Sequence, residues 1–498
     1  MSDQRRTARP KPNNRSESGG SRKHSGGKAS GASADRRRGG PKPRSARELA
    51  LDTLLKVAET GAYSNLQLNR ALQEAQLSKA DAALVTELVY GTIQRQKTLD
   101  YWLAQFAAKG LGKLEPWVLQ LLRLSLYQLL YLDRIPPHAA VNEAVAIAKR
   151  RGHQGISGMV NGMLRSIVRR RSELVPEAIS GANEAERIAT AHSYPEWLAK
   201  RWIDRYGEDA AERICASGNE PPHASLRVNR LKNDAAQVLA ELQADGYEAD
   251  RSPAAPQVGI VVRRGGNMAD TAGYREGRWT VQDESSMLVA QVVAPKPGMQ
   301  VLDCCAAPGG KSTHLAELME GKGKVWANDI HPHKLQLIEA QVARLGLANV
   351  EAIIGDAAKL GERFAPESLD AVLLDAPCSG LGVIRRKPEI KWTKSPEDVE
   401  AIAEIQKRLL DAVAVLVKPG GTLVYSTCTI EPKENERQVE RFLREHPEYG
   451  LDRDWPEDVL QPLREAGAVG PDFDGSVQLL PFHFQSDGFF IARLRKRP

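Results

Sequence analysis

Between Ser45 and about Arg171 the apolar residues return every three or four positions: Leu49, Leu51, Leu54, Leu55 and Val57, then Leu84, Val85, Leu88, Val89 and Ile93. That is the period of amphipathic helices that each bury one stripe, so the pattern predicts an all-α bundle over 44–171 with short connections. Ser78 ahead of an apolar run, with Asp81 in the first turn, marks one helix start, and Pro136-Pro137 is read as a helix end. The most apolar stretch, Leu119 to Leu132, is interrupted by Gln120, Arg123, Ser125 and Gln128, which fits a core helix and not a membrane span.

From 172 to 275 the pattern is mixed. Trp197, Leu198, Trp202 and Ile203 suit a helix. Leu226, Val228 and Leu231 alternate with Arg227, Asn229 and Arg230, which predicts a strand with one basic face. A helix from Asp234 to Asp245 and strands around Gly259 to Arg263 would complete a small α+β connector able to touch RNA. From 276 to 498 apolar strands alternate with helical windows, the mark of a parallel sheet covered on both faces. The strands expected are in "MQVLDCCAAPGGKS" (299–312), "KVWANDI" (324–330), "VEAIIGDA" (350–357), "LDAVLLDAP" (369–377) and "GGTLVYSTCTI" (420–430). The chain is thus read as multidomain: an α bundle, an α+β connector and a C-terminal α/β Rossmann-like domain.

Charge changes the picture at the N-terminus. Residues 1–43 carry twelve Lys and Arg against Asp3, Glu17 and Asp35, a local +9 within a total of +6, and they contain no aromatic residue. Such a segment cannot bury enough surface to fold, so it is expected to be a disordered basic tail, either a solvated extension or a contact for a polyanion. Further basic runs end the bundle, at Lys149, Arg150 and Arg151 and at Arg165, Arg169, Arg170 and Arg171. No apolar signal segment precedes the fold, so the cytoplasm is expected, with no membrane contact and a monomer as the simplest state. The five cysteines, Cys215, Cys304, Cys305, Cys378 and Cys428, form no C-x-x-C and no disulfide framework, and His314, His331 and His333 add no ligand spacing. Neither a structural metal nor a catalytic one is expected.

The candidate chemistry lies at the carboxyl ends of the C-terminal strands, where open α/β sheets bind ligands. "AAPGGKS" (306–312) follows the first strand as a tight Gly-rich loop. It lacks the G-x-G-x-x-G of a dinucleotide site, and as a P-loop it has Cys305 where the first glycine belongs. Close backbone approach without a pyrophosphate cradle suits S-adenosyl-methionine. Asp329, 20 residues after Gly309, stands at the offset of an acid that accepts from ribose hydroxyls. Asp356 could meet an adenine amino group, and Asp375 ends a third strand. Cys378 in "DAPCSG" and Cys428 in "YSTC" also follow strand ends, which fits poorly with inert packing. Paired thiols suit methylation of C5 of a cytosine: thiolate addition at C6 makes C5 nucleophilic, and loss of the C5 proton with departure of the thiol restores the ring. On chemistry alone either cysteine could attack. Asp375 is placed to stabilise charge at N3.

Two resemblances add to this reading. "ARELALDTLLKV" (46–57), "ELVYGTIQRQKTLDYWL" (87–103) and "PPHAAVNEAVAIAKR" to "VNGMLR" (136–165) resemble the RNA-binding NusB family. "DCCAAPGGKSTH" (303–314), "DAPCSGLGVIRRKPEIKW" (375–392), "YSTCTIEPKENE" (425–436) and "DGFFIARL" (487–494) resemble the RNA cytosine-C5 methyltransferases, and the combination looks like their RsmB/Sun branch, whose members modify a cytosine of small-subunit (16S) ribosomal RNA. The resemblance implies that Cys428 is the nucleophile and that Cys378 assists release of the product. It also implies that Cys305, Ala306, Ala307, Pro308, Gly309, Gly310 and Lys311, with Asp329, Asp356 and Asp375, form the cofactor pocket, and that Cys304 packs. Arg385, Arg386, Lys387 and Lys391 are candidates for RNA phosphates, the alternative being a solvated loop. The alternative is a non-catalytic RNA-binding factor built on the same fold.

Overall fold

The computed structural model describes residues 45–498 apart from 62, 63 and 265; the expected basic tail, 1–43, lies outside the described residues. Seven helices form the bundle: α1 (Ala46–Thr60), α2 (Ser64–Glu74), α3 (Lys79–Gln94), α4 (Gln96–Ala104), α5 (Pro116–Tyr131), α6 (Pro137–Arg151) and α7 (Gln154–Arg169). Ser45 and Ser78 cap α1 and α3, the Ser78 hydroxyl accepting from the Asp81 amide at 3.1 Å as the sequence predicts. Helix α5 is buried nearly all round, and its polar residues are satisfied inside the bundle: Arg123 forks onto Asp100 at 2.7 and 2.6 Å and Gln128 accepts from Arg47 at 2.6 Å. Among the described residues no helix is long and apolar enough to cross a membrane. Pro136-Pro137 differs from its expected role, because α5 has already ended at Tyr131 and Pro137 opens α6. A fixed φ and a missing N–H cost nothing in a first helical turn.

The connector begins with α8 (Glu184–Ala191), α9 (Glu196–Tyr206) and α10 (Glu208–Ser217). An antiparallel sheet follows in the order β2-β3-β1-β4, from β1 (Ala224–Val228), β2 (Glu248–Arg251), β3 (Gly259–Arg264) and β4 (Trp279–Val281). Its last strand lies beyond residue 275, paired with β1 through Leu226 and Val281. Leu226 and Val228 pack with Val238, Leu242 and Trp279 on one face. The other face is not a solvent-facing basic strip. Arg227 is fully buried and donates to Glu317 at 2.8 Å, Thr313 at 3.0 Å and the Gly310 carbonyl at 2.5 Å, and Asn229 is buried as well. An alternating pattern cannot distinguish water from a neighbouring domain as the environment of a polar face.

The C-terminal sheet has eight strands: β5 (Gln300–Asp303), β6 (Lys324–Asp329), β7 (Val350–Ile354), β8 (Leu369–Asp375), β9 (Val417–Thr427), β10 (Tyr449–Leu451), β11 (Ser476–Leu479) and β12 (Phe489–Lys496). Strands β7-β6-β5-β8-β9 are parallel and β12 closes the sheet antiparallel to β9, with β10 and β11 both paired to β12. Alternate side chains feed two cores. Ala371 and Leu373 of β8 pack with Val301, Val424 and the helices 284–293 and 310–318. Val372 and Leu374 pack with Leu409, Val413 and Phe442 on the opposite side. Chain order reverses between β5 and β8, so the loops leaving these two strands flank the switch point where such sheets bind ligands.

Candidate active site

At that point a cavity of about 890 Å³ opens, walled by Cys305, Ala307, Asn328, Asp329, Asp356, Asp375, Cys378 and Cys428 among others. Each polar group arrives there on a strand end. Asp329 ends β6, and its carboxylate accepts from the His331 amide at 2.9 Å. Asp356 follows β7 and accepts from the Ala358 amide at 3.0 Å. Asp375 ends β8, with one oxygen accepting from Lys311 Nζ at 2.7 Å and the other from Ser426 Oγ at 2.8 Å.

The loop after β5 is held from below. The Ala306 amide donates to the Asn328 carbonyl at 2.7 Å and Asn328 Nδ2 donates to the Cys304 carbonyl at 2.8 Å, while Cys304 is buried in the core as expected. Gly309 has φ +103°, and a Cβ there would press on the Ile338 backbone at 3.3 Å, so the turn can lie close to its neighbouring helix only as glycine. Of the loop residues, Cys305 and Ala307 form the cavity wall, whereas Ala306, Pro308, Gly309, Gly310 and Lys311 lie outside the wall. Lys311 is engaged with Asp375 and Ser312 Oγ donates to Asp303 at 2.6 Å, so neither side chain is presented as in a phosphate-binding loop.

The two cysteines meet. Cys378 Sγ and Cys428 Sγ are 3.1 Å apart, brought together because β8 and β9 are hydrogen-bonded neighbours through Asp375 and Ser426. Below them, the Ala376 amide donates to the Ser426 carbonyl at 2.8 Å and the Gly382 amide donates to the Cys428 carbonyl at 3.0 Å. Their electrostatic settings differ. The contact with Cys428, burial, and the charges of Glu434 and Asp375 push the Cys378 thiol well above its usual range. Cys428 is a charge neighbour of Lys311; burial opposes the Lys311 ammonium, but Asp375 outweighs it and raises the pKa.

Three of the four cations proposed for phosphates serve the fold instead. Arg385 is buried and donates to the carbonyls of Ser217 and Gln485; Arg386 pairs with Asp283 at 2.8 Å and Asp487 at 2.9 Å. Lys391 is fully buried, donating to the Gln94 carbonyl at 2.7 Å and lying over the Tyr194 ring. Together with Trp392 Nε1 on the Ile93 carbonyl and Glu389 on Ser64, it seats the segment after Cys378 on the helical bundle. Lys387 alone of the four lines the cavity. The sequence reading missed Asn328, Asp303 and Glu434, which are buried beneath the site. Glu434 had no local signal to separate it from Glu431 and Glu436; only its partners do, since Glu431 is equally buried but pairs with Arg201, whereas Glu434 is bonded by Ser379 and Gln406.

Comparison with known proteins assigns this arrangement. The model described as 16S rRNA methyltransferase RsmB/F matches residues 290–495, NusB matches 44–169 and an RsmF/B-like ferredoxin-like domain matches 194–269. The "Probable ribosomal RNA small subunit methyltransferase B" of Bacillus subtilis (strain 168) is 47% identical over 92% of this chain and 100% of its own. The chain belongs to the RsmB/F methyltransferase family. Among solved structures, PH0851 superposes with a TM-score of 0.72 at 29% identity over 91% of this chain and 98% of that one. NSun6 from Pyrococcus horikoshii, solved with SFG, does so with a TM-score of 0.54 at 25% identity over 62% and 99%. The RsmB/F domain is a class I methyltransferase whose cofactor is S-adenosyl-methionine. The site fits that group: two carboxylates, Asp329 and Asp356, line the same cavity as the thiols, and the buried Asn328 Oδ1 is without a partner at its floor. Among the described residues no cluster of metal-ligating side chains occurs.

Proposed function

We propose that this protein methylates C5 of a cytosine in 16S ribosomal RNA, using Cys428 as nucleophile and Cys378 for release. The observation that carries the reading is the 3.1 Å thiol pair opening into a cavity that also contains Asp329 and Asp356. S-adenosyl-methionine, bound along the β5 loop with those two carboxylates, supplies an electrophilic methyl group. Cys428, beside Lys311, forms a bond from sulfur to C6, which moves electron density to C5. Asp375 stabilises the charge at N3, its carboxylate already fixed by Lys311 and Ser426. Once C5 has its methyl group, the C5 proton is lost to water and the C6–S electron pair leaves on Cys428 as thiolate, with the Cys378 thiol, 3.1 Å from the departing sulfur, assisting release. Lys387, Lys394 and Arg408 line the same cavity and supply charge for the RNA backbone. The bundle over 44–171 and the connector, which we extend through β4 to residue 281, bring further RNA contact.

The test uses labelled methyl donor and 16S RNA from cells lacking the enzyme, with the product mapped as 5-methylcytosine. Cys428→Ala should abolish transfer. Cys378→Ala should accumulate RNA joined covalently to protein on a denaturing gel. If Cys428→Ala gave the adduct and Cys378→Ala did not, the two roles would be exchanged; full turnover with serine at both positions would exclude the covalent route.

A further inference from the structure

Glu434 lies between β9 and the helix 436–445, fully buried. Its carboxylate reaches both cysteine loops. Ser379, the residue after Cys378, donates to it from its amide at 2.8 Å and from its hydroxyl at 2.5 Å. Thr429, the residue after Cys428, lies 3.4 Å from the same carboxylate, and its hydroxyl is 2.9 Å from that of Ser379. Gln406 completes the set, donating to Glu434 at 3.0 Å and to the carbonyl of Pro377, just before Cys378, at 2.9 Å. The Glu434 carbonyl in turn accepts from the Tyr425 hydroxyl on β9 at 2.6 Å. No Lys or Arg contact to Glu434 occurs among these bonds, so one carboxyl group is held by the two loops it joins.

We propose that Glu434 is a positioning residue that sets the separation of the two thiols. It holds the residue following each cysteine, so that Cys378 stands in reach of the ring while Cys428 is bonded to it. Burial raises its pKa and the Ser379 and Gln406 donors oppose that rise, so the carboxyl is adapted to this one environment. The inference rests on the roles proposed above for Cys428 and Cys378. It predicts that loss of Glu434 leaves attack possible and slows release.

Phenylarsine oxide reads the thiol geometry without the reaction: two thiols give two arsenic–sulfur bonds while the oxide oxygen leaves as water. With the full-length protein, Glu434→Ala should bind this probe roughly 10–100-fold more weakly than the unaltered protein, as should Cys378→Ala, because the second sulfur loses its effective concentration. Glu434→Gln, whose amide can face the two hydroxyls, should restore binding. With RNA and S-adenosyl-methionine, Glu434→Ala should accumulate the covalent adduct with an unchanged KM for the methyl donor. Unaltered probe binding together with normal adduct clearance in Glu434→Ala would overturn the proposal. If that variant does not fold, Ser379→Ala combined with Thr429→Val carries the test, and normal values in both readouts overturn it equally. Weak probe binding in Glu434→Ala with no adduct in Cys378→Ala would leave the clamp standing and remove the assigned thiol roles instead.

Discussion

Lys311 Nζ and Asp375 form a 2.7 Å ion pair between the helix after β5 and the end of β8, spanning the point where the sheet reverses its order. The pair does two things at once. It fixes a carboxylate in the cavity wall, and it keeps a positive charge beside Cys428. Neither group is free to move, because Ser426 holds the second Asp375 oxygen.

Asp375→Asn retains the size of the side chain and removes the charge. Methyl transfer should fall by roughly 10²–10³-fold, the cost of losing one group aimed at developing charge. Binding of S-adenosyl-methionine, measured by calorimetry, should persist. A transfer rate within tenfold of the unaltered protein would place Asp375 away from the reacting base.

Arg227 and Glu317 are both buried, and they join the connector sheet to the helix that starts at Gly310. Arg227→Ala leaves a buried carboxylate unpaired and should destabilise the protein by about 3–5 kcal/mol in urea unfolding. Arg227→Met combined with Glu317→Leu should recover much of that loss, since two apolar groups leave no charge behind. A double variant as unstable as the single one would show that the pair contributes through its geometry on Gly310 and Thr313 instead.

Gly382 has no room for a side chain: a Cβ there would lie 1.9 Å from the Gly488 carbonyl oxygen. That backbone is tied on both sides, with the Gly488 amide on the Gly382 carbonyl at 2.8 Å and the Gly382 amide on the Cys428 carbonyl at 3.0 Å. Gly382→Ala should therefore destabilise by about 1–3 kcal/mol and shift Cys428, lowering methyl transfer more than the melting temperature alone accounts for. Equal thermal stability and equal transfer would mean the two backbone segments separate without cost.

The parallel sheet was legible because β5, β6, β8 and β9 are apolar runs ending in polar residues, a pattern that burial on both faces imposes. The cysteine pair was legible for the same reason: both residues follow the ends of strands that the expected order makes neighbours. The errors share another cause. Arg227, Arg385 and Lys391 look like surface cations in sequence, yet each is buried at a junction between domains, and junctions leave no periodic trace. Glu434 was hidden by its neighbours Glu431 and Glu436, and its role exists only once the loops after β8 and β9 are side by side.

Asp303 gives the protein a pH signature of its own. It ends β5, fully buried beneath the cofactor loop; one oxygen accepts from Ser312 at 2.6 Å and the other has no partner. Burial, with the charge of Asp375 adding to it, raises its pKa to about 7. Because the folded value lies above the unfolded one of about 3.9, folding favours the protonated acid. The stability this contributes is fully present below the unfolded pKa and is lost as pH rises through about 7. Asp303→Asn keeps a neutral side chain that can still bond Ser312. Its melting temperature relative to the unaltered protein should therefore increase between about pH 5 and pH 8, with each unit of raised pKa corresponding to about 1.4 kcal/mol. Thermal unfolding of both proteins across that range checks the sign: a difference that does not change with pH, or that shrinks towards pH 8, would mean Asp303 is charged in the folded state throughout.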